Sequence, residues 1–250
     1  MSSCNPAIEF QNVSKGFRHN IGRQLLRTHI LRWFGETQHK KLYALTNVTF
    51  RMEPGESLAV VGANGAGKST LLSLTAGLMG PDQGSVTVNG RVAALLDLGA
   101  GFHPDLTGAE NVVLNAALLG LTRRRTMELF EDIVEFSGIR ESINDPLRTY
   151  SNGMVMRLAF SVAIRSDPDI LLIDEVMAVG DARFQEKCRE TLVSYQRAGK
   201  SLLFVSHSAP AIRQMCRRAI WLDHGAVMMD SDVDAVLEAY EGRAVMKQPG

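Results

Sequence analysis

Gly62-Ala63-Asn64-Gly65-Ala66-Gly67-Lys68-Ser69-Thr70 fits the pattern G-x-x-x-x-G-K-[ST], and the rest of the chain is read outward from it. Before it, Ser57-Leu58-Ala59-Val60-Val61 is a short apolar run rich in β-formers, the pattern of a buried strand. After it, Leu71, Leu72, Leu74 and Thr75 begin a helix that ends by Gly77 or Gly80. Strand, glycine loop and helix in that order are the context in which this pattern binds phosphate. The glycines let backbone N–H groups crowd around phosphate oxygens, and the helix N-terminus adds partial positive charge. In this reading Lys68 reaches the β- and γ-phosphates, and the Ser69 hydroxyl helps to hold Mg2+. A glycine-rich turn that merely precedes a lysine is the competing reading, and the flanking strand and helix weigh against it.

The chain has 250 residues, enough for one domain with a substantial core or a domain with an added lobe. Lys plus Arg number 27 and so do Asp plus Glu, so no global field attracts nucleic acid or anionic lipid, and no nucleic-acid partner is expected. Cys4, Cys188 and Cys216 are odd in number and far apart, the pattern of reduced thiols rather than disulfides or metal ligands. No apolar run approaches the roughly 18 residues of a membrane span. Met1-Ser2-Ser3-Cys4-Asn5-Pro6 lacks the basic and apolar regions of a signal peptide. Work at a membrane would therefore depend on a partner's span.

Residues 8–13 and 43–52 alternate in the manner of strands and predict an antiparallel pair near the glycine loop. Between them, residues 16–41 carry Lys15, Arg18, Arg23, Arg27, Arg32, Lys40 and Lys41 in or beside the segment, against only Glu36. Leu26, Ile30, Trp33 and Phe34 fall on one side of a helical projection, interrupted by Arg23. A solvated basic helix and a helix at a membrane surface or membrane partner both fit. After the loop come a turn at Pro81-Asp82-Gln83-Gly84, a strand over residues 85–90 and a buried strand over 92–98. Thr107-Gly108-Ala109-Glu110 is a capping box that opens a helix through Leu119. A second helix over residues 122–136 places Met127, Phe130, Ile133 and Val134 on one face and stops at Gly138. Val155, Leu158, Ala159, Val162 and Ala163 form a third helical stripe. Three helices with no strand between them predict a helical lobe inserted in a strand–helix alternating core. That core resumes at 170–173 and ends in a hairpin at His224-Gly225 and a helix over 233–240. The expectation is an α/β fold with a mostly parallel sheet.

Asp174 and Glu175 end an apolar strand, at the sheet edge where the phosphate loop also lies. Beside a triphosphate, Asp174 suits Mg2+ binding and Glu175 suits positioning or deprotonating the attacking water. His207 follows the apolar strand 201–205 to the same edge, within reach of a γ-phosphate. Ser151-Asn152-Gly153 opens the third lobe helix as a second anion-binding corner, and an N-cap with no ligand is the plainer alternative. Two such helix ends for one nucleotide are reconciled if two chains pair head to tail, each lobe closing on the other chain's nucleotide.

With these residues in place, the chain resembles the ATP-binding subunit of ABC transporters along nearly its whole length. Gly62 to Thr70 is similar to Walker A, and Ile170 to Glu175 to Walker B with its catalytic glutamate. Tyr150-Ser151-Asn152-Gly153-Met154 stands where that family has its signature motif, and Ala178-Val179-Gly180-Asp181 is similar to the D-loop. His207 resembles the switch histidine, and Phe17 the aromatic that stacks on adenine. The resemblance implies a P-loop NTPase (RecA-like) core with an antiparallel β subdomain. The core would take residues 1–97 and 167–250, the lobe 98–166, and the basic insert 16–41. It also implies ATP and Mg2+ as cofactors, with Ser69 and Asp174 toward the metal. A homodimer would bind two ATP, each contacted in trans by Ser151, Asn152 and Gly153, and hydrolysis would release it.

Met156-Arg157-Leu158-Ala159-Phe160-Ser161, the run from Val179 to Cys188, Leu98-Gly99-Ala100-Gly101-Phe102-His103-Pro104 and the insert after Phe17 resemble the polysaccharide exporters. These are the O-antigen, capsule and teichoic-acid systems. That resemblance implies two transmembrane permease subunits, a lipid-linked polysaccharide as cargo, and a peripheral position on the cytoplasmic face of the inner membrane. The chain stops soon after Tyr240, which gives the expectation that glycan-end recognition is not this subunit's task. Asn152 replaces the usual Gly and Met154 the usual Gln, and the Gln at the entry to the lobe is replaced by Leu98, beside Asp97. An exporter of another substrate and a soluble, non-transport ABC ATPase remain the alternatives.

Overall fold

The computed structural model describes residues 5–18, 41–95, 101–174 and 181–246. An antiparallel sheet in the order β2-β1-β4 comprises β2 (Lys41–Met52), β1 (Ile8–Arg18) and β4 (Gln83–Val88). A six-stranded sheet follows the order β5-β6-β7-β3-β8-β9, built from β5 (Val92–Leu95), β6 (Ile170–Asp174), β7 (Ser201–Val205), β3 (Ser57–Val61), β8 (Arg218–Asp223) and β9 (Ala226–Asp232). Its neighbours pair in parallel except β8 with β9, the hairpin expected at His224-Gly225.

The apolar runs are continuous because the large sheet is covered on both faces. Leu58 and Val60 of β3 join Ile170, Leu172, Leu203 and Val205 in one core, which also takes α1 (Lys68–Thr75) and the antiparallel sheet. Ala59 and Val61 turn to the other face with Leu171, Ile173, Leu202 and Phe204. There they pack under α5 (Ala182–Arg197), α6 (Ala209–Met215) and α7 (Val233–Met246), of which α7 outruns the expected helix over 233–240.

Alternation in β2 slips between Leu45 and Val48, both fully buried, because Asn47 adopts φ 51° at a register break. Asn12 on β1 has the same φ, so each strand carries a bulge where an Asn tolerates the left-handed region. β1 also runs past Val13 to Arg18, and β2 begins at Lys41. Gly16, Phe17, Arg18 and Lys41 therefore belong to strands and not to the insert. The remainder of that segment, with its proposed amphipathic helix, lies outside the described residues.

The lobe comprises α2 (Gly108–Leu118), α3 (Arg123–Ser137) and α4 (Asn152–Arg165), with short 3-10 turns at Arg140–Ser142 and Leu147–Thr149. The capping box is complete: Thr107 Oγ1 accepts from Glu110 N, and Glu110 Oε2 accepts from Thr107 N. The Thr107 amide and the Thr107 hydroxyl, both donating to Glu110 Oε2, hold the Glu110 carboxyl below its usual range. Gly138, at φ 66°, ends α3 in the left-handed conformation that glycine favours. Ile133, Val134, Leu158 and Val162 fill a separate core with Val112, Ala116 and Ile139. Met127 departs from the expected face of α3: it is 55% exposed, while Thr126 beside it is buried and donates to Thr122 O.

Candidate active site

The glycine loop is built by the end of β3, the start of α1 and two supports from elsewhere in the chain. Gly67 caps α1 at φ 107°, and a Cβ there would collide with Ala44 O and come within 2.7 Å of Leu45 Cδ2. Close approach of β2 thus demands glycine at this position. Gly65, at φ 81°, is the opposite case, because nothing lies within 4 Å of where its Cβ would be. That open face is the space in which a phosphate can approach the backbone. Gly225 N donates to Ala66 O at 3.0 Å, and Thr46 N donates to Gly225 O at 2.8 Å. The hairpin turn is therefore stitched to both the loop and β2. Lys68 is buried, and its ammonium donates to Gly62 O at 2.6 Å and Ala63 O at 3.1 Å, holding a positive charge inside the loop.

An open cleft of about 410 Å³ is lined by Phe17, Ala44, Asn64, Gly65, Gly67, Lys68, Ser69, Thr70, Asp174 and His207. The two strand-end residues arrive because β6 and β7 run parallel and side by side, with Asp174 in register with Val205. Phe17, 45% exposed on the far end of β1, supplies an aromatic wall. Five separate stretches of sequence thus converge on one cleft, and Ala44 is the lining residue with no signal in the sequence. A larger cleft of about 570 Å³, with Arg213, Arg217 and Glu56 in its wall, lies at the opposite end of β3 and contains none of the expected residues.

The cleft fits a nucleoside triphosphate, with an aromatic face at one side and a helix N-terminus, the open Gly65 backbone and a buried ammonium at the other. Ser69 and Asp174 bring a hydroxyl and a carboxylate to the same wall, a hard-oxygen pair. Such a sparse set suits Mg2+, which takes one or two protein oxygens and completes its shell with phosphate and water. Among the described residues no group of three metal-ligating side chains forms a protein-only cage.

Ser151, Asn152 and Gly153 are not part of this cleft. Ser151 caps α4, its Oγ accepting from Met154 N at 3.2 Å, and both Ser151 and Asn152 are exposed. The nearest atom to a Cβ on Gly153 would be Ser151 Oγ at 3.8 Å, so this corner too presents open backbone. Tyr150 fixes where the corner sits, because its buried ring belongs to the lobe core and its hydroxyl donates to Ser142 O. Burial and the nearby Asp145 push the Tyr150 phenol up from its usual pKa.

Asp181 caps α5 by accepting from Phe184 N at 2.9 Å, and it also meets Arg157 of α4. A second tie joins lobe and core: Lys187 Nζ donates to Phe136 O at 3.0 Å and sits 4.1 Å from that ring's centroid. Burial and the neighbouring Arg165 lower the Lys187 pKa. Neither tie is legible from the residues alone, because Arg157 and Lys187 carry no periodic or motif signal beyond their place in longer runs. Glu175, Ala178 to Gly180, Asp97 and Leu98 lie outside the described residues.

The family model described as ABC transporter matches residues 45–178, more than half of the chain. The O-antigen export system ATP-binding protein RfbB of Klebsiella pneumoniae is 44% identical over 94% of this chain and 98% of its own length. The teichoic acids export ATP-binding protein TagH of Bacillus cereus is 37% identical over 98% of this chain and 44% of its own length. Among solved structures, an ATP-binding cassette dimer in a post-hydrolysis state with ADP and Pi superposes with a TM-score of 0.71 at 21% identity. That superposition covers 90% of this chain and 98% of the cassette, a likeness of fold. With a cleft shaped for a triphosphate and relatives this similar from end to end, the chain belongs to the ABC transporter family, as an ATP-hydrolysing subunit.

Proposed function

We propose that this chain powers export of a lipid-linked polysaccharide, of the O-antigen or capsule kind, across the inner membrane. The observation that carries the reading is the single cleft that gathers Phe17, Lys68, Ser69, Asp174 and His207. The names of the relatives, which export O-antigen and teichoic acids, support the cargo class. Adenine stacks on Phe17, and the phosphates lie along Gly62, Ala63, Asn64, Gly65, Ala66, Gly67, Lys68, Ser69 and Thr70 at the α1 N-terminus. Ser69 and Asp174 would hold Mg2+, which when bound would supply neutralisation of the phosphate charge. Glu175, next after Asp174, orients and deprotonates the attacking water, and His207 donates to the γ-phosphate.

Two copies complete each site. The exposed Ser151–Asn152–Gly153 corner of one copy closes on the triphosphate held by the other, with Asp181 at the same seam. The homodimer works beneath two transmembrane permease subunits, peripheral on the cytoplasmic face.

The test is Glu175→Gln. It should release phosphate at background rates and run as a dimer in ATP during gel filtration. Turnover like the unaltered protein would refute the assignment of the base. In a producing cell, Lys68→Ala should strip the surface polysaccharide and leave lipid-linked glycan inside; a normal cell surface would refute the cargo.

A further inference from the structure

β1 loses one of its two neighbours before it reaches the cleft. Pairing with β4 ends at Ser14 opposite Gln83, whereas pairing with β2 continues through Gly16 with Tyr43, Phe17 with Leu42 and Arg18 with Lys41. The aromatic wall of the cleft therefore stands on a two-stranded ribbon, an element that is marginal in water when unsupported.

One side chain braces it. Asp82, in the turn after α1, accepts from Gly16 N at 2.8 Å and from Lys41 Nζ at 2.8 Å through Oδ2, and from Lys15 Nζ at 3.3 Å through Oδ1. Its own amide donates to Ser14 O at 2.9 Å. The Lys41 stem packs over Gly16, where a Cβ would lie 2.8 Å from Cε, so any larger residue at 16 would displace it. Lys15 Nζ also reaches Gly80 O at 2.7 Å, tying the same turn a second time. Lys41, the Gly16 amide and Lys15 together hold the Asp82 carboxyl far below the usual range, outweighing the opposing effect of its partial desolvation. Charge-assisted bonds of this kind are the stronger ones available at a surface. Their geometry engages both strands of the ribbon and the backbone amide next to Phe17.

We propose that Asp82 is a positioning residue for the base-binding half of the site, clamping the β1–β2 ribbon so that Phe17 is held ready to stack on the nucleobase. It touches no nucleotide itself. The inference rests on the reading of Phe17 as the stacking aromatic. It goes beyond that reading by assigning the orientation of the ring to a carboxylate in the turn that precedes β4. A clamp of this sort raises affinity by removing the ordering cost of the ribbon on binding.

The experiment compares a ligand that has a base with one that has none. ADP affinity is measured by calorimetry, and inorganic tripolyphosphate by competition for the same site, in the unaltered protein and in Asp82→Ala, Asp82→Asn, Phe17→Ala and the Asp82→Ala/Phe17→Ala pair. Asp82→Ala should weaken ADP roughly 3- to 10-fold and leave tripolyphosphate within about twofold. Asp82→Asn, which keeps an acceptor for Gly16 N, should fall between. The double variant should bind ADP no worse than Phe17→Ala alone, because the clamp acts only through the ring. Equal weakening of both ligands by Asp82→Ala would overturn the proposal, since the carboxylate would then support the whole loop. So would an effect of Phe17→Ala on ADP with none from Asp82→Ala. If Phe17→Ala itself spares ADP, the stacking assignment fails and the clamp's purpose fails with it.

Discussion

The carboxylate of Asp181 serves two helices at once: Oδ1 accepts from Phe184 N at 2.9 Å to cap α5, and Oδ2 lies 3.5 Å from Arg157 Nη2 on α4. Because Ser151 caps α4, the corner that faces outward from the lobe is linked through one residue to the start of a core helix. The two roles separate by substitution. Asp181→Ala removes both and should cost about 1 kcal/mol in urea unfolding, the usual worth of an N-cap. Asp181→Asn keeps a capping oxygen and loses only a half-exposed ion pair, so it should cost less than about 0.5 kcal/mol. Equal losses in the two variants would show that the ion pair outweighs the cap.

Lys68→Ala removes the buried ammonium that Gly62 O and Ala63 O now hold. A charged hydrogen bond is worth about 1.5–3 kcal/mol, so ATP affinity by calorimetry should drop roughly 10- to 100-fold. Stability should change little or rise, because no charge is then kept from water.

The loop glycines should differ in how they fail. Gly67→Ala drives a methyl into Ala44 O and Leu45 at a positive φ, and should lower unfolding stability by about 2–3 kcal/mol along with nucleotide binding. Gly65→Ala meets no neighbour and pays only for its φ of 81°, about 1 kcal/mol, while it fills the face open to phosphate. The second variant should stay folded by circular dichroism and still bind ATP poorly.

Burial pushes both the Cys188 and Cys216 thiols up to about 12 from an ordinary 9.0. The folded state therefore holds these protons more tightly than the unfolded state. Their contribution to stability is complete below pH 9 and is lost as pH climbs from there toward 12. The thermal midpoint should fall over that interval, and Cys188→Ala/Cys216→Ala should flatten the slope. Tyr195, raised by burial and by Asp167 and Asp169, leaves a residual slope of the same sign. In the unaltered native protein the two thiols should resist a thiol reagent at neutral pH.

Met127→Lys should shift stability by no more than about 0.5 kcal/mol, since the side chain already faces water. Ile133→Ala, fully buried in the lobe core, should cost about 2–5 kcal/mol. Denaturant titration of the two variants checks the corrected face of α3.

The large sheet was legible because its strands are buried on both sides, so β3, β6 and β7 announce themselves as uninterrupted apolar runs. The phosphate loop was legible because its chemistry is carried by consecutive residues. Asp174 and His207 followed from strand ends alone, since parallel neighbours deliver their last residues to one edge. Legibility ended where a position depends on a bulge or on distant partners. Nothing local marks Asn12 and Asn47 as left-handed, so β1 read as ending at Val13. Met127 misled because helical periodicity constrains angle about the axis and not which neighbour arrives. Asp82 read as an ordinary turn residue because its three partners come from β1 and β2, more than thirty positions away in sequence.

The backbone of Gly225 reaches two ways, from Ala66 O in the loop to Thr46 N in the small sheet. A hairpin at the edge of one sheet is thus sewn to an edge strand of the other across the phosphate cradle. Neither layer can open alone without tearing that seam, so the amides of Thr46, Gly225 and their surroundings should exchange with deuterium only in concert. A fault introduced at the β8–β9 turn, far from the loop in sequence, would therefore be felt as a weakened grip on ATP.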